Sequence, residues 1–262
     1  MTLPTLPAAH ARALSMLAKP DVDISELASI VESDPGLTAA MLRAANSAAY
    51  SPLSRITTAS DAVVRVGLST TRRIVASAAL NGAFKNLSNS GIDVDQLWSS
   101  VLATALLADA AAWAEGARTE AFTAGLLYPI GRLAMAGEQP VQYRRVVAMV
   151  HDGWRPSEAE VEVFGYDSSE WGAQVAAAWD LPENIAEAIR SQDTGDCGPL
   201  SWVVWKGRTI GWSLGYGDGL SCPLESTFDP TSDDAPIVGT VGGPDGLQSQ
   251  IEWYRGSLGM AA

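Results

Sequence analysis

Apolar residues recur every three to four positions through most of this chain, and that period restricts the fold more than any other feature. "ISELASIVESD" places Ile24, Leu27, Ile30 and Val31 on one helical face, with Ser25 as its cap or in its first turn. "DPGLTAAMLRAANSAAY" starts with Asp34 as N-cap and Pro35 at the first helical position, and Leu37, Met41, Leu42 and Ala45 form its stripe. "SDAVVRVGLSTTRRIVASAALNGAF" reads as a short helix from Ser60, stopped by Gly67, and a longer one from about Ser69. The Ser/Asn/Gly cluster at residues 88–93 marks a boundary. A long helix follows, with Val94, Leu97, Trp98, Val101 and Ala105 on one face and Gly116 as its stop. "TEAFTAGLLYPIGRLAMAG" continues the pattern, with Pro129 expected to kink it by removing a backbone donor. Further helices fit residues 139–151, 156–164, 168–179, 183–192 and 199–214.

The expected fold is all-α. Two packed helical subdomains cover residues 1–90 and 91–215, and an irregular tail covers 216–262. The tail is rich in Gly, Pro, Ser and Asp, and from Pro223 onward it holds six carboxylates and one base, Arg255. No helix is expected there. "PIVGTVGG" and "QSQIEWYRG" either form a short hairpin across "GPDG" or lack order.

Composition narrows the function. At 47% hydrophobic and 18% charged, the chain of 262 residues is globular. No apolar run reaches the roughly 18 residues of a membrane span, and "MTLPTLPAAHARALSML" lacks the layout of a signal peptide, so a cytoplasmic location is expected and a membrane is not. With 17 basic against 30 acidic residues, a net charge of −13 repels a phosphate backbone, which argues against bulk nucleic-acid binding. Cys197 and Cys222 are too few for a disulfide framework or a Cys-based zinc site. His10 and His151 are the only histidines, which matters because His is the commonest ligand of hydrolytic metal sites.

Six ordered blocks then carry a resemblance. "LPTLPAAHARALSML" opens the chain, and "IVESDPGLTAAMLRAANSAAY" follows with Asp34-Pro35, Leu37, Leu42, Arg43, Asn46, Ser47 and Tyr50 in register. "ITTASDAVVRVGLSTTRRIV" comes next, with Ala62 and Gly67 matching and Val66 in place of a Leu. "LWSSVLATALLA", "AFTAGLLYPIGRLAM" and "FGYDSSEWGAQVAAAWDLPENIAEAI" complete the second half. Over residues 3–214 the chain resembles the HDOD family, bacterial signalling domains related to the HD phosphohydrolases. The resemblance implies a degenerate HD domain in the second half. It also implies a non-catalytic signal-transduction module that binds a protein partner or a small nucleotide messenger. A nucleotide phosphohydrolase with an atypical site is the rival reading, and an adaptor without a small ligand is a third.

The family pattern would put a His at Ser100, a His-Asp pair at Tyr128-Pro129, a His at Ser168 and often a His pair near Gln192-Asp193. Those six positions mark a former metal-site cavity. Proline offers no ligand atom, and Ser and Tyr are poor ligands for divalent metals at neutral pH. Neither metal nor cofactor is implied. Asn46-Ser47 either binds a ligand or satisfies backbone groups at a helix end. Tyr128-Pro129 either floors a pocket or fills the cavity with apolar bulk. Arg132 binds an anion or makes a salt bridge. Arg65, Arg72 and Arg73 form a local basic patch that either docks an acidic partner or phosphate or is a solvated face. Trp202, Trp205 and Trp212 share one helical face, either as core or as cover for a partner surface.

Overall fold

Capping residues set the first helices where the pattern predicts them. The computed structural model describes residues 8–17, 23–50, 55–84, 87–115, 120–220 and 225–260. Residues 1–7 of the opening segment, Gly116 and Cys222 lie outside the described residues. Five helices come first: α1 (Ala8–Leu17), α2 (Ile24–Glu32), α3 (Pro35–Ala45), α4 (Ala59–Val66) and α5 (Leu68–Ala83). The cap of α2 is Asp23, whose carboxylate accepts from the backbone N–H and the hydroxyl of Ser25, so Ser25 sits in the first turn. Asp34 Oδ1 accepts from the Leu37 N–H at 2.9 Å, with Pro35 in the first turn of α3. Gly67, at φ +85°, separates α4 from α5 in a backbone conformation that side-chain-bearing residues avoid. Leu27, Val31, Met41, Val63 and Ile74 are fully buried. Each such side chain contributes about 1.5–3 kcal/mol.

A second unit, residues 84–248, is built around α6 (Val94–Glu115). It continues with α7 (Ala121–Leu127), α8 (Ile130–Glu138), α9 (Pro140–His151), α10 (Pro156–Phe164), α11 (Ser168–Ala178), α12 (Glu183–Arg190), α13 (Pro199–Ser213) and α14 (Ala235–Thr240). Both α7 and α13 lie against α6. A Cβ at Gly207 would stand 2.8 Å from the Thr104 carbonyl oxygen and the Ala108 nitrogen, so the backbones of α13 and α6 touch directly. Pro129 does more than kink the predicted helix. It ends α7 and starts α8, because a proline cannot donate the hydrogen bond that continuity would need. The boundary before this unit falls at 83/84 rather than 90, since Phe84 packs its ring 5.9 Å from that of Trp179.

The irregular tail and its hairpin are not found. Beyond α14 the described chain forms a long helix, α15 (Gly243–Leu258). Its stripe of Leu247, Ile251, Tyr254 and Leu258 is buried at helical spacing. Pro244 and Asp245, which resemble a turn in sequence, occupy its first turn, where a missing donor and a negative charge are both favourable. Residues 249–262 group with residues 6–83, so the last turns of α15 belong to the unit of α1 to α5.

Candidate functional site

Four of the six positions where the resemblance implies a metal site meet in a cleft of about 220 Å³ within the unit of residues 84–248. Ser100 comes from α6, Tyr128 from the break between α7 and α8, and Gln192 and Asp193 from the segment after α12. Ser100 Oγ and Tyr128 Oη stand 3.4 Å apart. Pro129 and Ser168 are not brought into the lining. Ser168 is buried at the start of α11, and its carbonyl oxygen lies 1.9 Å from where a Cβ at Gly131 would stand. That contact lets α8 and α11 approach closely, and any side chain at Gly131 would prevent it.

The remaining lining comes mostly from α13 and the turn after it: Trp205, Arg208, Thr209, Trp212, Tyr216 and Asp218. The tryptophan face of α13 is therefore not core. Trp212 is 46% exposed, whereas Val203, Val204, Gly207 and Ile210 take the buried side. Arg208 is the central group that the sequence reading missed. Its guanidinium lies 5.0 Å from the centre of the Tyr128 ring, donates to the Gln192 carbonyl oxygen at 2.9 Å and pairs with Asp193. Its position three residues after Trp205 and four before Trp212, on the same helical face, was the available signal.

Behind the cleft lies a second charged group. Arg132 is buried, donating through Nη1 to Asp218 Oδ2 at 2.9 Å and through Nε to Glu160 Oε1 at 3.4 Å. Glu160, itself fully buried, accepts from Tyr143 Oη at 2.5 Å and from the Ser168 N–H at 2.8 Å. Burial alone would lower the pKa of the Arg132 guanidinium, but Tyr143, Asp218 and Glu160 around it outweigh that and hold it above its usual value. Burial, reinforced by Glu160, pushes the Tyr143 hydroxyl well above the usual tyrosine range. Arg132 thus makes the salt bridge of its two readings. An anion would have to displace two carboxylates to reach it.

The donor set of the cleft does not fit a divalent metal. Its lining has no histidine, and each of its two carboxylates is held by an arginine. Among the described residues, no three His, Cys, Asp or Glu side chains gather in a cation-binding cluster. His10 faces Asp34 at 3.5 Å in the other unit, and His151 is exposed at the end of α9.

Asn46 and Ser47 lie outside this cleft, in the unit of residues 6–83 and 249–262. The Asn46 amide donates to the Leu42 and Ile56 carbonyl oxygens and accepts from the Ile56 N–H, all at 2.8–2.9 Å. Ser47 Oγ donates to the Ala44 carbonyl oxygen and accepts from Trp253 Nε1. Both side chains therefore satisfy the structure around a helix end. Arg65 is exposed in the last turn of α4, while Arg72 and Arg73 are half-buried in α5. None of the three lines the cleft.

The HDOD domain family matches residues 3–194. A protein of Treponema pallidum (strain Nichols), itself uncharacterized, is 26% identical over 192 residues, which is 72% of this chain and only 37% of that protein. This chain thus spans well under half of that relative's length. A solved structure from Shewanella amazonensis SB2B, described as a candidate phosphohydrolase, is 26% identical with a TM-score of 0.71, covering 98% of this chain and 92% of that one. Another from Marinobacter aquaeolei VT8, described as a candidate signal transduction protein, is 25% identical with a TM-score of 0.68, covering 98% of this chain and 58% of that one. No described helix is long and apolar enough to cross a membrane. On the strength of the family match along most of its length, the chain belongs to the HDOD domain family.

Proposed function

We propose that this chain is a non-catalytic regulatory module of bacterial signalling that acts by binding a protein partner through the cleft of its HD-type unit. One observation carries the reading. Where a hydrolase of this kind would gather metal ligands, the Arg208 guanidinium sits over the Tyr128 ring and is tied to Asp193. The positive charge there belongs to the protein, and no lining group can generate a hydroxide nucleophile as a metal-bound water does. At about 220 Å³ the cleft is smaller than the roughly 300 Å³ lower bound of ordinary small-molecule sites. It suits a single side chain of a partner, framed by Trp205, Trp212 and Tyr216, and aromatic and arginine side chains dominate the energetics of such contacts. A signalling role also agrees with the description of the similar Marinobacter protein.

The rival reading, an HD-type phosphohydrolase with an atypical site, draws on the description of the Shewanella protein. Two measurements decide. The purified chain is incubated with cyclic dinucleotides, guanosine tetraphosphate and an aryl phosphate, with and without added Mn²⁺ or Mg²⁺. No turnover is expected, and turnover lost on Arg208→Ala would establish the enzyme reading. A photo-crosslinking amino acid is then placed at position 212 in the native host, and a second at the exposed Trp154. A discrete crosslinked protein at position 212 and not at 154 supports the binding reading. Identical patterns at both positions refute it.

A further inference from the structure

A larger groove lies in the other unit, the one formed by residues 6–83 and 249–262. Its volume is about 800 Å³, within the roughly 300–1,000 Å³ of small-molecule sites. Leu42, Ile56 and Trp253 give it apolar and aromatic surface. Arg43 and Arg55 supply charge, and its described lining contains no carboxylate. In a chain with 17 basic against 30 acidic residues, two arginines facing one groove without an acidic neighbour in its lining is a concentrated exception.

The groove is also built. Asn46 holds the segment at Ile56 by a two-way backbone clasp, and this fixes the residue next to it, Arg55, at the rim. Trp253 is held by its indole N–H on Ser47 Oγ at 2.9 Å, and its ring packs against Tyr50 at 6.0 Å and Tyr254 at 4.8 Å. Arg43 Nε donates to the Ser257 carbonyl oxygen at 2.8 Å near the end of α15, so the guanidinium is anchored by one edge. Gly259, at φ +72°, leaves that guanidinium room, since a Cβ there would come within 3.2 Å of it. With the polar groups of Asn46 and Ser47 committed to the walls, the two guanidinium groups are the main charged recognition elements. Anchored aromatic and cationic groups lose little freedom when a ligand binds.

We propose that this groove binds a small anionic ligand with a planar or apolar body, of nucleotide size, its phosphate or carboxylate charge taken by Arg43 and Arg55 and its body by Trp253, Leu42 and Ile56. Guanidinium pairs with phosphate and carboxylate through directed, charge-assisted hydrogen bonds, and an indole face accepts a planar ring. The ligand site would then lie in one unit and the partner cleft in the other. The assignment goes beyond the partner-binding reading and stands or falls without it.

The test uses the full chain labelled with ¹⁵N, in which the Trp253 indole N–H signal is identified by Trp253→Phe. The probes are 8-anilinonaphthalene-1-sulfonate, which joins an aromatic body to one negative charge, and the neutral N-phenyl-1-naphthylamine. The expected result is a saturable shift of the Trp253 signal with the anionic probe, weakened about tenfold by Arg55→Ala. The neutral probe should bind more weakly and ignore that substitution. Arg55 is exposed, so its variant keeps the fold testable even if Arg43→Ala, which also releases the Ser257 carbonyl, does not fold. Repeating the titration in Trp212→Ala removes any contribution of the cleft in the other unit. Nucleoside monophosphates, cyclic dinucleotides and dicarboxylates that displace the probe then distinguish phosphate from carboxylate ligands. An unmoved Trp253 signal, or a shift equal in wild type and Arg55→Ala, would overturn the proposal.

Discussion

Arg132 and Asp218, 86 positions apart in the chain, meet at 2.9 Å inside the unit of residues 84–248. Asp218 is also one wall of the cleft, so the buried ion pair supports the candidate partner site from behind. Arg132 is the cation shared by two buried carboxylates, and removing it leaves Asp218 and Glu160 without a counter-charge. Arg132→Ala is expected to lower stability by about 3–5 kcal/mol, and more than Asp218→Ala, which leaves Arg132 paired with Glu160. Urea denaturation followed by circular dichroism measures it, and a loss under about 1 kcal/mol for Arg132→Ala would show that water reaches and solvates the two carboxylates.

Tyr143 gives a pH signature. Its hydroxyl is held protonated in the folded state, first by burial and then by the Glu160 carboxylate, so its folded pKa lies above the unfolded value near 10. Below about pH 10 both states keep the proton and the contribution is complete. Above it the unfolded state releases the proton first, binds fewer protons than the native state, and stability falls as pH rises. Tyr143→Phe should flatten that alkaline decline while costing about 1–3 kcal/mol at neutral pH for the lost hydrogen bond to Glu160 Oε1, which keeps only the longer one from Arg132 Nε. Denaturation midpoints from pH 7 to 11 read both effects, and an equally steep decline in the variant would assign it to other groups.

Gly131→Ala should be among the most damaging small substitutions. A methyl there would come within 1.9 Å of the Ser168 carbonyl oxygen and 2.6 Å of the Gly172 nitrogen, and neither backbone atom can rotate away. We expect a loss of about 3 kcal/mol or more, as α8 and α11 are pushed apart. Gly137→Ala on the same helix, where a Cβ would meet only the Phe84 ring at 4.0 Å, should change little and serves as the control. Equal melting temperatures for the two variants would contradict the close approach.

Truncation after Gln248 should loosen the unit of residues 6–83. It removes Ile251, Tyr254 and Leu258, all buried, along with the contacts of Trp253 to Ser47 and Tyr50. At about 1.5–3 kcal/mol per buried side chain, several kcal/mol are at stake. Hydrogen exchange should show faster opening of α2 to α5. Unchanged protection would mean that the last helix is an appendage.

The helices themselves were legible because their causes are local. The Asp34-Pro35 start, the stop at Gly67 and the break at Pro129 each depend on backbone chemistry within a few residues, and the structure places all three where the sequence does. The last helix was missed although its cause is equally local. Leu247, Ile251, Tyr254 and Leu258 recur at helical spacing, but the Gly and Pro residues ahead of them suggested a turn where a helix begins.

The sites divide along the same line. Ser100, Tyr128, Gln192 and Asp193 could be placed on their elements from sequence, and the tertiary structure brings these four together while leaving Pro129 and Ser168 out. The pairing of Arg132 with Asp218 and Glu160 could not be read, because 30 acidic residues compete for each base and nothing local selects among them. Likewise the period of α13 shows that Trp205, Arg208 and Trp212 share a face without showing where it points. That was settled when Gly207 allowed the opposite face to touch the backbone of α6. Periodicity and capping act over a few residues and are written in order along the chain. Which face is buried, and which charge meets which, depends on packing between segments far apart in sequence, and only the folded chain decides it.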